Sequence, residues 1–143
     1  MLVLAGAPHS ENPLVFPPVE PVVHEEGIAD RVVLTGKVSD DERTALYQGA
    51  LGYVTPSSYE GFGLTALEAM VQATPVVVSA GSASEEVVGE AGVVLPATDV
   101  DAWASALERL LVDPDEAAAL GVAGRDRAAR YSWTRCADST LAA

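Results

Sequence analysis

The run from Ser57 to Met70, Ser-Ser-Tyr-Glu-Gly-Phe-Gly-Leu-Thr-Ala-Leu-Glu-Ala-Met, constrains the fold more than any other segment of the chain. It follows an apolar stretch, and its pattern predicts the end of a strand, a glycine turn and the start of a helix. Gly61 and Gly63 carry no side chain where the backbone must turn or lie close to a ligand. The helix presents unbonded N–H groups and the positive end of its dipole to this turn, which favours a bound phosphate.

Two carboxylates flank the start of this helix. Glu60 lies just before it and is placed to contact a group attached to the phosphate. The spacing of Leu64, Leu67 and Val71 puts them on one apolar stripe, and Glu68 falls on the same stripe. A carboxylate there needs a partner, and vicinal sugar hydroxyls would suit it. Two plainer interpretations stay open, a solvated loop acid for Glu60 and a core acid bonded to protein groups for Glu68.

The composition limits the possible partners. At 143 residues, of which 49% are hydrophobic, the chain fits one domain with a full core, which we assign to residues 1–143. The formal net charge of −13 argues against binding nucleic acid or an anionic membrane surface. Cys136 is the single cysteine, so a disulfide framework or a cysteine-based metal site is not expected, and the cytoplasm is the default location. No apolar run approaches the ~20 residues of a membrane span.

The order of apolar runs and helical patterns predicts the fold class. Five strands with little polar alternation are separated by helices, which favours a mostly parallel sheet with helices on both faces. The predicted fold is therefore Rossmann-like α/β, in which ligands bind at the carboxyl ends of the strands. The predicted strands are residues 2–5, 31–35, 50–55, 76–79 and 92–95.

Several helix starts are marked by capping residues. Ser39 and Glu42 form a capping box, and Asp113 followed by Pro114 predicts another start, with Glu116 completing a second box. Either Asp99 or Thr98 is expected to cap the next helix, which should bury one apolar stripe made of Trp103, Leu107, Leu110 and Leu111.

The segment around Glu60 and Glu68 resembles the Glu-x7-Glu signature of retaining glycosyltransferases with the GT-B fold, family 4, also called glycosyl transferases group 1. The string Glu-Gly-Phe-Gly-Leu followed by Glu-Ala-Met carries this resemblance. It implies that Glu60 contacts hydroxyls of the donor sugar and supports charge at the reacting centre, and that Glu68 binds the ribose hydroxyls. The turn and first helical residues would hold the diphosphate and sugar: Gly61, Phe62, Gly63, Leu64 and Thr65.

Other segments extend the resemblance along the chain. Residues 30–39 resemble the family loop that touches the nucleobase, which implies this role for Lys37 and Val38. Residues 74–79 resemble a Gly-x-Pro-Val-Val strand, residues 86–92 a Glu-Val-Val-x-Asp-x-Gly element, and residues 131–133 an aromatic-Ser-Trp stop.

The remaining polar residues carry weaker signals. Ser82 and Ser84 lie in a serine-rich turn that either is an ordinary turn or holds a phosphate. His9 and His24 are isolated and are assigned neither to catalysis nor to a metal.

The resemblance is to the C-terminal, donor-binding half of a two-domain enzyme. It implies that the N-terminal acceptor domain is absent, together with the first strand of the donor domain and its basic loop. We therefore expect a truncated domain whose sheet has a gap between residues 2–5 and 50–55. Such a gap exposes strand edges and favours pairing between copies of the chain.

The function predicted from the resemblance is the donor-binding part of a retaining glycosyltransferase. The full-length enzyme would move a sugar from a UDP-, GDP- or ADP-sugar to an acceptor hydroxyl, without a metal or a tightly bound cofactor. The isolated chain is expected to be inactive. Two alternatives stay open: a non-catalytic binding or assembly module, and a GT-B relative such as a nucleotide-sugar epimerase or a glycogen synthase or phosphorylase. A dinucleotide-dependent oxidoreductase would need a Gly-x-Gly-x-x-Gly after the first strand, which is absent.

Overall fold

The fold is described from a computed structural model, which covers residues 1–7, 12–15 and 17–142. Backbone packing divides the chain into two compact units, Met1–Arg43 and Thr44–Ala143. His9 lies outside the described residues.

The first unit is built on two parallel strands, β1 (Leu2–Ala5) and β2 (Val32–Gly36), with Leu2 paired to Val32. Between them along the chain lies the short helix α1 (Glu20–Glu25), which has Pro21 in its first turn.

Helix α2 (Asp40–Gly49) begins in the first unit and continues into the second. The Ser39 hydroxyl accepts the Glu42 N–H at 3.3 Å, and the Glu42 carboxylate accepts the Ser39 N–H at 2.8 Å. Both bonds of the predicted capping box are therefore confirmed. They also lower the pKa of Glu42, because hydrogen bonds from Ser39 favour its ionised form.

The second unit contains a parallel sheet in the order β3-β4-β5, surrounded by helices. Its elements along the chain after α2 are β3 (Tyr53–Thr55), α3 (Leu64–Val71), β4 (Val76–Ser79), α4 (Ala83–Val88), β5 (Val93–Leu95), α5 (Val100–Val112), α6 (Pro114–Ala128) and α7 (Trp133–Leu141).

The central strand β4 is buried along its whole length. Val76 and Val78 face a core cluster that includes Met70 of α3, whereas Val77 faces a second cluster that includes Leu110 of α5. Because successive strand residues point to opposite faces, this division places helices on both sides of the sheet. The predicted α/β architecture with parallel strands is confirmed.

The apolar stripe predicted for α3 is only partly correct, since Leu67 alone of its three apolar residues packs against the core. Leu64 and Val71 are each 52% exposed, and the buried residues of this helix are Ala66, Ala69 and Met70. Helix α3 packs against α6 and β4, and the small alanine side chains allow the close approach. Glu68 is consequently half-buried at the side of the helix and does not lie on its core face.

The stripe predicted for α5 is also only partly correct. Leu110 is buried and Trp103 packs beside it, but Leu107 and Leu111 are exposed and Ala106 takes the core position. The face toward the sheet thus recurs at residues 103, 106 and 110, which is the spacing of one narrow helical stripe.

Only half of the second capping box forms. The Asp113 side chain accepts the Glu116 N–H at 2.9 Å, as predicted for a helix start. The Glu116 carboxylate, however, binds the guanidinium of Arg109, and the Asp113 N–H donates to the Arg109 carbonyl at 2.9 Å. The second bond of the box, from the Asp113 N–H to the Glu116 carboxylate, therefore does not form, because Arg109 at the end of α5 binds both groups.

Within the ranges that the structure describes, no helix combines the length and apolar character needed to cross a membrane.

Candidate functional site

The start of α3 leaves a group of backbone donors uncapped. Gly63 is the N-cap residue with a left-handed backbone (φ +89°), and no side chain caps the first turn. This turn carries no acidic residue either. Helical N–H groups without such partners, at the positive end of the helix dipole, attract an anion.

Gly63 packs directly against Ser84 in the first turn of α4. A Cβ atom at position 63 would lie 2.7 Å from the Ser84 Oγ and 2.9 Å from its Cα. Residue 63 must therefore be glycine for two reasons, its positive φ and the lack of space.

The Ser84 hydroxyl stands out in this contact. Ser84 is 1% exposed, and its Oγ is the one buried side-chain polar atom without a hydrogen-bond partner among the described residues. Ser82, in contrast, donates to the Ser79 carbonyl at 2.9 Å. Of the two serines of this turn, only Ser84 brings an unused hydroxyl to the start of α3.

We expect Ser84→Ala to stabilise the unliganded chain by about 1 kcal/mol, because a buried hydroxyl without a partner costs about that much. Urea unfolding of the purified chain measures this change. Ser82→Ala is the matched control and should destabilise by about 1 kcal/mol, since it removes a satisfied bond. A loss of stability in both variants would contradict the assignment of Ser84 as unsatisfied.

Glu68 is bound by a tyrosine that the sequence did not single out. The Tyr47 hydroxyl of α2 donates to the Glu68 carboxylate at 3.3 Å, and Tyr47 is only 8% exposed. The ring of Tyr47 also makes an edge contact with Tyr53, with the ring centroids 5.6 Å apart. The half-buried Glu68 carboxylate therefore has a hydrogen-bond partner within the chain, the Tyr47 hydroxyl.

Tyr53 of β3 connects this pair to the first turn of α3. Its hydroxyl donates to the Thr65 Oγ1 at 2.8 Å. Burial raises the pKa of the Tyr53 phenol, and the negative charges of Glu60 and Glu68 raise it further, although a hydrogen bond with Thr65 acts in the opposite direction. The phenol therefore lies within electrostatic range of both signature carboxylates.

Neither tyrosine was a candidate from sequence. The available signal was weak, an aromatic residue on the strand that enters the signature turn and another on the helix before it.

The remaining residues of the turn are more open. Glu60 is half-buried and Gly61 has free space around its Cα, while Phe62 is 47% exposed. The Phe62 ring makes an edge contact with Tyr131, which lies between α6 and α7, and the ring centroids are 6.2 Å apart. The C-terminal aromatic motif thus supports the signature turn.

The structure keeps most predicted site residues together on one segment of the second unit, from Glu60 to Glu68. Lys37 and Val38 lie in the first unit, directly after β2, with Lys37 exposed and Val38 half-buried. Within the part of the chain that the structure describes, no group of three or more His, Cys, Asp or Glu side chains is placed to hold a metal ion.

Comparison with known proteins identifies the family. The family model described as glycosyl transferases group 1 matches residues 1–127. The chain belongs to this family. It is 44% identical over 130 residues to the MMP alpha-(1->4)-mannosyltransferase of Mycolicibacterium hassiacum, covering 87% of this chain and 31% of the relative.

Two further relatives agree with this. The GDP-mannose-dependent alpha-(1-6)-phosphatidylinositol monomannoside mannosyltransferase of Mycobacterium tuberculosis is 31% identical over 143 residues, covering 93% of this chain and 36% of the relative. The sucrose-phosphate synthase structure from Thermosynechococcus elongatus superposes with a TM-score of 0.84 at 34% identity, covering 97% of this chain and 36% of that one.

The chain therefore has the fold of a GT-B C-terminal domain, and its relatives are glycosyltransferases. It spans about a third of the length of the curated relatives it matches, 31% and 36% in the two cases.

Proposed function

We propose that the chain is the donor-binding part of a retaining glycosyltransferase of family 4, which transfers a sugar from a nucleotide diphosphate sugar to an acceptor hydroxyl. The observation that carries the proposal is the start of α3, where an uncapped helix N-terminus lies between two carboxylates. The unsatisfied Ser84 hydroxyl packed against Gly63 adds a second sign of a missing polar partner there.

The diphosphate would bind at the first turn of α3. The N–H groups of Gly63, Leu64 and Thr65 are offered to its oxygens, and the helix dipole adds to this attraction. As the bond to the sugar breaks, negative charge develops on the leaving diphosphate. Donors that are already fixed in place stabilise this charge without having to reorient.

The two carboxylates would hold the sugars on either side. Glu68 accepts hydrogen bonds from the ribose hydroxyls, and Tyr47 holds its carboxylate. Glu60 orients the donor sugar at the reacting centre, with Gly61 and Phe62 forming the wall of this subsite. Positioning of this kind supplies much of the rate enhancement when the chemistry needs no covalent help from the protein.

The nucleobase would contact Lys37 and Val38. The base is one of uridine, guanosine and adenosine, and the GDP-mannose dependence named for the mycobacterial relative supports guanosine as the first to test.

The proposal also covers the partners of the chain and its place in the cell. An acceptor-binding N-terminal domain would be the partner of residues 1–143, so that the chain by itself is inactive, and exposed sheet edges would allow pairing between copies. No metal and no tightly bound cofactor is required, and the protein would work in the cytoplasm.

Titration of the purified chain with UDP, GDP and ADP, followed by heat or NMR line broadening, tests the proposal. We expect saturable binding of one nucleotide, and Glu68→Gln should weaken it about tenfold, because a hydrogen bond to an ionised group is replaced by a neutral one. Glu108→Gln, on the exposed surface of α5, is the matched control and should bind like the wild type.

Two results would count against the proposal. Equal affinity of Glu68→Gln and the wild type would remove the ribose role of this carboxylate. No binding of any of the three nucleotides would favour the alternative of a non-catalytic assembly module.

A further inference from the structure

Tyr53 is placed to act on the first turn of α3. Its hydroxyl lies 2.8 Å from the Thr65 Oγ1, and its ring is held by the edge contact with Tyr47. Thr65 is exposed, so its hydroxyl is accessible to a ligand at the helix start. Tyr53 thus contacts the start of α3 through an exposed residue, Thr65.

The direction of this hydrogen bond follows from acidity. A phenol is a stronger acid than an aliphatic alcohol, so Tyr53 donates and Thr65 accepts. Burial and the two nearby carboxylates raise the pKa of the phenol, which keeps it protonated and able to donate. Because the Thr65 oxygen accepts a hydrogen bond from Tyr53, its own hydroxyl proton is left to donate to another acceptor.

We propose that Tyr53 is a positioning residue that orients the Thr65 hydroxyl to donate to a phosphate oxygen bound at the start of α3. The inference rests on the proposed donor site. A chain of two hydrogen bonds polarises each member, so the Thr65 hydroxyl becomes a better donor than an isolated threonine.

A double-mutant cycle tests this relay. Tyr53→Phe, Thr65→Val and the double variant are titrated with whichever of UDP, GDP and ADP binds the wild type. Each single variant should bind about fivefold more weakly, the value of one hydrogen bond. The double variant should be no weaker than Thr65→Val, because Tyr53 acts only through the hydroxyl that Thr65→Val removes. Thr65→Ser keeps that hydroxyl and should restore most of the affinity.

Two measurements separate the relay from a general loss of structure. Inorganic pyrophosphate, titrated in parallel, should show the same pattern if the contact is to phosphate. Thr140→Val is the matched control for Thr65→Val, because it removes an exposed threonine hydroxyl on α7 that donates to the Cys136 carbonyl at 2.9 Å. It should bind nucleotide like the wild type.

Three outcomes would overturn the inference. If the double variant lost affinity by the product of the two single-variant factors, Tyr53 would not act through Thr65. Wild-type affinity of Tyr53→Phe would exclude Tyr53 while leaving the donor site intact. A wild-type chain that binds none of the nucleotides would overturn both the donor site and the relay.

Discussion

Replacing Gly121 with alanine is expected to lower the free energy of unfolding by about 3 kcal/mol, the upper end of the usual cost of overpacking. Gly121 lies in α6 where this helix meets the end of α3. A Cβ atom there would overlap the carbonyl oxygen of Ala73 and lie 3.1 Å from its carbonyl carbon. Backbone cannot rotate away as a side chain can, so the two helices would have to separate.

The backbone of Ala73 cannot easily move to make room for this Cβ atom. It has φ +58°, and its N–H donates to the Met70 carbonyl at 2.9 Å. A non-glycine residue in this left-handed conformation is already strained, and the tight turn fixes the direction of its carbonyl.

Gly124→Ala, one turn later in α6, is the matched control. Its Cβ would meet the nearest atom, Met70 Cγ, at 3.5 Å, which is an ordinary contact. Alanine also favours a helix over glycine by about 1 kcal/mol, so this variant should be as stable as the wild type or more so. Urea unfolding measures both variants. Similar midpoints for Gly121→Ala and Gly124→Ala would show that α3 and α6 are not as close as the structure places them.

Gly63→Ala should be the second large effect, with a loss of stability of about 3 kcal/mol from backbone strain and overpacking together. The φ of +89° disfavours any side chain, and the new Cβ would meet Ser84 at 2.7 Å and 2.9 Å. The folded fraction of Gly63→Ala should bind nucleotide more weakly than the wild type, because relieving the clash displaces the first turn of α3. Thermal unfolding and nucleotide titration measure the two parts separately.

Gly61→Ala serves as the control for folding. Its Cβ would have no neighbour within 4 Å, and its φ is not positive. The unfolding midpoint of Gly61→Ala should equal that of the wild type. If Gly63→Ala unfolded at that same midpoint, the close contact with Ser84 would be refuted.

Residues close together in sequence were predicted most reliably. The Ser39–Glu42 capping box and the Asp113 cap are hydrogen bonds within one turn, so their partners can be read directly from the sequence. The strand, turn and helix of the signature are equally local, and the family resemblance drawn from them agrees with the family match. The site residues from Glu60 to Glu68 stay predictions, since their roles depend on a ligand.

Features that depend on a second element were missed or reversed. Helical spacing alone offers two stripes on α3, one with Leu64 and Val71 and one with Ala66 and Met70. Hydrophobicity favours the larger side chains. The structure buries Ala66, Ala69 and Met70 instead, because this is the face of α3 that packs against α6 and β4. The bond expected from the Asp113 N–H to the Glu116 carboxylate is also absent because of a second element. Arg109 of the preceding helix binds that carboxylate instead.

The sequence by itself therefore determined the family, the alternation of strands and helices, the caps and the glycine turn that opens α3. Tertiary structure alone decided which face of α3 is buried, that Ser84 lies unsatisfied against Gly63, and that Tyr53 reaches Thr65. Capping bonds and turns join residues within a few positions, so sequence spacing specifies them. Contacts between elements depend on how closely their backbones approach, which the packing of the whole unit determines.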